Sequence, residues 1–161
     1  MKRLILLRHG KAESTASTGG DFERGLTERG RSESALIGRE LAAAGFSPDM
    51  VLVSTARRAM ETWEAACTAF PKARMAPARE LYHASPAALS EAIEAAAANA
   101  GALMIVGHNP GLHELSLALA PPNKGTALGE GFPTAAAAVF QVAADGGFVL
   151  ERFLTPPGRG G

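Results

Sequence analysis

Three short runs of nothing but apolar residues recur along the chain: Leu4-Ile5-Leu6-Leu7, Met50-Val51-Leu52-Val53 and Leu103-Met104-Ile105-Val106. A strand with one wet face alternates apolar and polar residues. A run that is apolar at every position has to be covered on both faces, as in a parallel sheet sandwiched between helices. Each run stops at groups able to do chemistry: Arg8-His9-Gly10, Ser54-Thr55 and Gly107-His108-Asn109. The pattern predicts an α/β fold, a three-layer α/β/α sandwich with a mostly parallel sheet. Right-handed crossovers would bring the carboxyl ends of its parallel strands to one edge, where open α/β sheets bind ligands.

The segments between these runs read mainly as helices. Thr27 is placed to cap a helix running to about Ala44, with Leu36, Ile37 and Leu41 as its buried stripe and Gly45 as its stop. A second helix is expected from Ala56 to about Phe70, and a third from Pro86 to about Ala98 behind the cap Ser85, with Leu89 and Ile93 inward. Pro71 to Pro77 reads as a connection, and Ala78 to His83 as a short extended piece. Asn109 is expected to cap a fourth helix that begins at Pro110 and ends near Leu119. Pro121 to Pro133 reads as a loop, Ala136 to Val142 and Phe148 to Leu154 as a C-terminal β-hairpin, and residues 156–161 as a flexible tail. With 161 residues, no repeat and no linker, the expectation is a single domain, 1–161.

Sixteen basic and sixteen acidic residues give a formal net charge of zero, so no global field argues for nucleic acid or a membrane surface as a partner. Any attraction for phosphate must be local. One cysteine, Cys67, excludes an intramolecular disulfide and is expected to be a small core residue. The apolar run before Arg8 is too short for a secretion signal and nothing is long enough to span a membrane, so a cytoplasmic location is expected.

The groups at the strand ends point to an oxyanion. Arginine offers a planar fork of donors, histidine can be nucleophile, base or donor, and Gly10 lets the backbone approach a ligand. Arg57 and Arg58 open the second helix, where the dipole favours acidic groups; a bound anion would remove that conflict for one of them, with the other extending into water. Arg24 either pairs at the surface with Asp21 or Glu23 or serves a ligand. His108 and His113 are badly spaced for one helical face, and no loop has calcium or magnesium spacing, so no metal or other cofactor is expected. A nucleotide-triphosphate loop of the Gly-Lys-Ser/Thr type is also missing.

Four stretches together resemble the histidine phosphatase superfamily, the phosphoglycerate mutase-like fold, and within it the SixA-like phosphohistidine phosphatases. They are Leu7-Arg8-His9-Gly10-Lys11-Ala12, Asp21 to Gly30, Val51 to Thr62, and Val106-Gly107-His108-Asn109-Pro110. The resemblance implies that His9 is a nucleophile forming a phosphohistidine intermediate, and that Arg8, Arg58 and His108 hold the phosphoryl group. Arg58 is chosen over Arg57 because the family places its arginine four residues after Ser54 and directly before Ala59. Many members have a glutamate that protonates the leaving oxygen; Glu80 is the nearest candidate, with a surface pairing to Arg79 or Lys72 as its alternative, and Glu13 stands behind it. The expected activity is metal-independent removal of phosphate, foremost from phosphohistidine on a signalling protein such as a histidine phosphotransfer domain. The alternatives are a phosphatase for a small phosphorylated metabolite and a non-catalytic phosphate-binding module. Short segments between the motifs leave no room for a lid, so an open cleft that admits a protein side chain is expected.

Overall fold

The computed structural model describes residues 1–120 and 127–158. Six strands form one sheet: β1 (Arg3–Arg8), β2 (Met50–Ser54), β3 (Arg74–Ala78), β4 (Ala102–Gly107), β5 (Ala137–Val142) and β6 (Phe148–Leu154). Their order is β3-β2-β4-β1-β5-β6; the first four run parallel, and β5 and β6 add antiparallel as the C-terminal hairpin. Among the described residues five α-helices accompany them: α1 (Glu28–Ala43), α2 (Arg57–Ala66), α3 (Pro86–Ala97), α4 (Gly111–Leu119) and the single turn α5 (Ala127–Glu130).

The apolar runs are buried on both faces, and alternate residues serve opposite layers. Ile5, Leu7, Val51, Val53, Met104 and Val106 pack with Ile37 and Leu41 of α1 and Ala59 and Trp63 of α2. Leu4, Leu6, Leu52, Leu103 and Ile105 pack on the other side with Leu89 and Ile93 of α3 and Leu112 and Leu115 of α4. The three layers follow from that division. Thr27 caps α1 by accepting the Gly30 N–H at 3.0 Å, and Ser85 caps α3 by accepting the Ala88 N–H at 3.1 Å. Beyond α1 the chain reverses through Gly45, whose φ of +85° lies in the left-handed region.

The structure departs from the sequence reading at five places. Residues 74–77, read as part of a connection, join Ala78, read as extended, to form β3. It is an edge strand, so it needs no apolar run, and an edge tolerates Pro77. The following piece is a 3₁₀ turn, Arg79–Leu81, rather than extended. Helix α2 ends at Ala66 and tightens into a 3₁₀ turn, Cys67–Ala69, which leaves Cys67 half-buried instead of in the core. Leu36 is only partly buried, while Ser34 and Gly38 complete the inward face of α1. Asn109 does not cap α4; its side-chain amide donates to the Phe132 carbonyl at 2.8 Å, and Pro110 takes the cap position. Of the expected loop, residues 121–126 lie outside the described residues, as do 159–161 of the tail; Pro156 is buried.

Candidate active site

The register of the sheet gathers the chemistry. Arg8 stands opposite Gly107 and Val53 opposite Val106, so β1, β4 and β2 end together at one edge. The antiparallel β5 begins where they end, since Leu7 pairs with Ala137, and this brings Thr134 to the same place. The segment after β1 is pinned from several sides. The His9 N–H donates to the Gly107 carbonyl (3.1 Å), the His9 carbonyl accepts from Ala135 (3.0 Å), and the Gly10 N–H donates to Thr62 Oγ1 (2.9 Å). A Cβ on Gly10 would meet the Gly30 carbonyl and Ser34 Oγ, both at 2.7 Å. Gly10 is therefore demanded by packing on α1, a different reason from the ligand approach expected of it.

His9 is 7% exposed, and its Nδ1 lies 2.8 Å from the Gly10 carbonyl. A carbonyl only accepts, so hydrogen-bond accounting puts the ring proton on Nδ1 and leaves a lone pair on Nε2. Burial lowers the His9 pKa to about 3; the Gly10 bond works the other way, and the charges of Arg8, Arg58 and Arg24 add to the lowering. The ring is thus neutral at pH 7, chiefly because it is buried and only secondarily because of its cationic neighbours.

The His108 ring lies 5.2 Å from that of His9 and is 5% exposed. Its Nε2 is 2.7 Å from Ser54 Oγ, which also accepts the Ala56 N–H at 3.3 Å. The other ring nitrogen, Nδ1, is buried and has no partner. Burial, then the nearness of His9 and Arg58, lowers this pKa too, to about 3. His108 is thus a neutral imidazole in the lining of the cleft.

Arg58 is 4% exposed. Its terminal nitrogens donate to the Asp21 carbonyl (2.9 Å) and to Asp21 Oδ2 (3.1 Å), while its Nε is buried and unpartnered. Asp21 also accepts from Arg24 Nε at 2.9 Å and from the Tyr82 hydroxyl at 2.6 Å. The Tyr82 bond foremost, then Arg24 and Arg58, holds the Asp21 carboxyl well below the usual carboxylate range. Burial and the carboxylate raise the Tyr82 hydroxyl in turn. Arg8 Nη1 donates to the Phe132 carbonyl at 3.0 Å. The result is a cleft of about 330 Å³ with both imidazoles and Arg8, Arg24 and Arg58 in its lining. Converging guanidinium and imidazole donors with one available imidazole lone pair suit a tetrahedral oxyanion.

Known proteins share this sequence pattern and this fold. Residues 4–82 match the model of the histidine phosphatase superfamily, branch 1. A protein of Mycobacterium tuberculosis with no assigned activity is 37% identical over 131 residues, 76% of this chain and 79% of its own. The SixA protein of Agrobacterium tumefaciens, assigned to the phosphohistidine phosphatases, is 34% identical and superposes with a TM-score of 0.84 over 96% of this chain and 98% of its own. The chain belongs to the histidine phosphatase superfamily. Like that superfamily it is a phosphatase, with the phosphoglycerate mutase-like α/β sheet. A SixA structure with tungstate bound, 24% identical at a TM-score of 0.81, shares the fold.

Within this phosphatase the structure brings together Arg8, His9, Arg24, Arg58 and His108. Arg57 stays outside with half its side chain exposed, paired to Glu61 at 3.1 Å. Arg24 fills both roles held open for it, pairing with Asp21 and lining the cleft. Glu80 is exposed in the 3₁₀ turn and is not among the residues lining the cleft, so its reading as a proton donor is dropped. Sequence reasoning missed Thr134, Tyr82 and His83. Thr134 was legible in principle, because a strand antiparallel to β1 must start at the edge where β1 ends. Tyr82 and His83 depend on the unforeseen β3 and its turn.

No described helix is long and apolar enough to cross a membrane. Neither is there, among the described residues, a group of three His, Cys, Asp or Glu side chains fit to hold a metal ion.

Proposed function

We propose that this phosphatase works through a covalent intermediate on His9 and that its foremost substrate is phosphohistidine on a signalling protein. The carrying observation is the His9 ring, buried and neutral, whose Nδ1–H is committed to Gly10 so that Nε2 keeps its lone pair. That lone pair forms the N–P bond as the bond from phosphorus to the leaving atom breaks. Charge spreads over the three equatorial oxygens in such a transfer, and fixed donors stabilise it. Arg8 and Arg58 supply charged donors, Arg24 a further one at the rim, and the His108 ring a neutral N–H. Water then attacks phosphorus, the electron pair returns to His9 Nε2, and inorganic phosphate leaves. No step calls on a metal.

Two features support a protein substrate. The relatives at 34% and 26% identity over nearly the whole chain are SixA proteins assigned to phosphohistidine phosphatases. The cleft also opens between exposed residues, Lys11, Asp21 and His83, so a phosphorylated side chain can reach it and water can reach the phosphoenzyme. The test is to offer the protein a phosphohistidine-bearing phosphotransfer domain beside a panel of small phosphomonoesters. Preferential, His9-dependent dephosphorylation of the domain is expected; His9-dependent activity confined to the small esters would assign the enzyme to metabolites instead. Phosphate binding without any turnover would make it a binding module.

A further inference from the structure

The scheme so far leaves the leaving atom without a proton source, and the cleft narrows the choice. His9 and His108 are neutral, and the Asp21 carboxyl is ionised. The Tyr82 hydroxyl is spent on Asp21, and Glu80 is elsewhere. Guanidinium and ammonium groups are, as side-chain types, poor proton donors near neutrality. One imidazole in the lining has no part in the scheme. It is His83, 65% exposed, with its Nε2 3.7 Å from Asp21 Oδ2. Its ring rests 3.9 Å from that of Tyr82 and 6.3 Å from that of His108.

His83 also marks a junction. Beyond it lies a second cleft of about 300 Å³, lined in part by Ser85, Pro86 and Glu114, and sharing His83, His108 and Asn109 with the first. A substrate whose phosphoryl group fills the first cleft can extend the rest of itself into the second, which puts the bond to be broken beside His83. The backbone there has a φ of 55°, a left-handed conformation that only Gly, Asn, Asp and His adopt with any ease. The residue in that conformation lines both clefts.

We infer that His83 is the proton donor to the leaving atom and, in the second half of the cycle, the base that takes the proton from the attacking water. The assignment rests on the phosphatase reading of the same site. In the first half the P–O or P–N bond breaks, its electron pair goes to the leaving atom, and that atom takes a proton from His83, which becomes neutral. In the second half water gives a proton to His83 as its oxygen bonds to phosphorus and the P–N bond to His9 breaks. His83 ends protonated and His9 neutral, as they began. The groups facing His83 are Asp21 from the turn at residues 20–23, Tyr82 from its own turn, His108 at the end of β4 and Glu114 across the second cleft on α4, with Arg58 holding the same Asp21 carboxylate.

The variant of choice is His83→Asn, because asparagine accepts the left-handed backbone but transfers no proton. Its kcat/KM is compared with that of the native protein on an alkyl phosphate and on phenyl phosphates of graded leaving-group acidity, with His9→Ala alongside. The loss is expected to be about 100-fold or more on the alkyl phosphate and to shrink steadily as the leaving group becomes more acidic. An equal loss on every ester, or no loss, would overturn the assignment while His9-dependent turnover left the phosphatase reading intact. If the native protein dephosphorylates only a phosphohistidine-bearing domain, His83→Asn is compared there and an unchanged rate overturns the assignment; if it dephosphorylates neither domain nor esters, or His9→Ala matches it, that reading falls and the assignment with it.

Discussion

The floor and the rim of the cleft are built on opposite plans. The floor, His9, His108 and Arg58, is each less than a tenth exposed and follows directly on the ends of β1, β4 and β2. The rim, Asp21, Arg24, Tyr82 and His83, stands on 3₁₀ turns and loops and is partly or largely exposed. Burial keeps the floor imidazoles neutral, whereas direct hydrogen bonds and ion pairs keep the Asp21 carboxyl ionised at the rim. A site that needs both a neutral nucleophile and a proton donor obtains them from two environments a few ångströms apart. The rigid sheet edge suits the group that must meet phosphorus at a fixed angle. The exposed turn suits one that must exchange protons with water.

The sharpest break of this contrast is within one helix turn. Arg58→Ala removes a buried cation from the floor, and kcat/KM should fall about 10²- to 10³-fold, the cost typical of losing one fixed donor to a developing oxyanion. Acid should then separate floor from rim through stability. His9 and His108 titrate at about 3 in the folded protein and near 6.5 when unfolded, so the unfolded chain binds their protons first as pH falls. Their contribution is whole above pH 6.5 and drains away between 6.5 and 3, at up to about 1.4 kcal/mol per pH unit for each ring. Denaturant midpoints measured from pH 7 to pH 4 should decline, and His108→Asn should flatten that decline. A slope unchanged by His108→Asn would remove burial as the cause of its neutrality. Smallest is Arg57→Ala, expected to change kcat/KM less than about 3-fold, since an exposed pair with Glu61 contributes under about 1 kcal/mol. A larger loss for Arg57 than for Arg58 would reverse the assignment of the two arginines.

The same division explains what was legible in the sequence. Strands buried on both faces advertise themselves through unbroken apolar runs, and the residues that end them inherit a predictable position; Arg8, His9 and His108 could be found this way. Arg58 and Arg57 are neighbours with identical charge, and periodicity alone did not choose between them. The family pattern did, and burial agrees. β3 was missed because an edge strand carrying Pro77 has neither an apolar run nor regular alternation. Losing β3 hid the turn after it and, with it, Tyr82 and His83. Glu80 was favoured by its place in the chain, but a 3₁₀ turn rotates successive side chains by about a third of a revolution, and it left this one facing solvent. Asn109 looked like a cap by type and position, yet a partner far along the chain, the Phe132 carbonyl, claimed its amide.

Rapid quenching of native protein during turnover of a phosphohistidine-bearing phosphotransfer domain, with digestion at alkaline pH to spare acid-labile phosphohistidine, tests the central claim most directly. A transient phosphoryl group on the peptide containing His9, absent from His9→Ala together with turnover, is the expected result. Turnover with no phosphoryl group on that peptide, or turnover that survives His9→Ala, would contradict a nucleophilic role for His9.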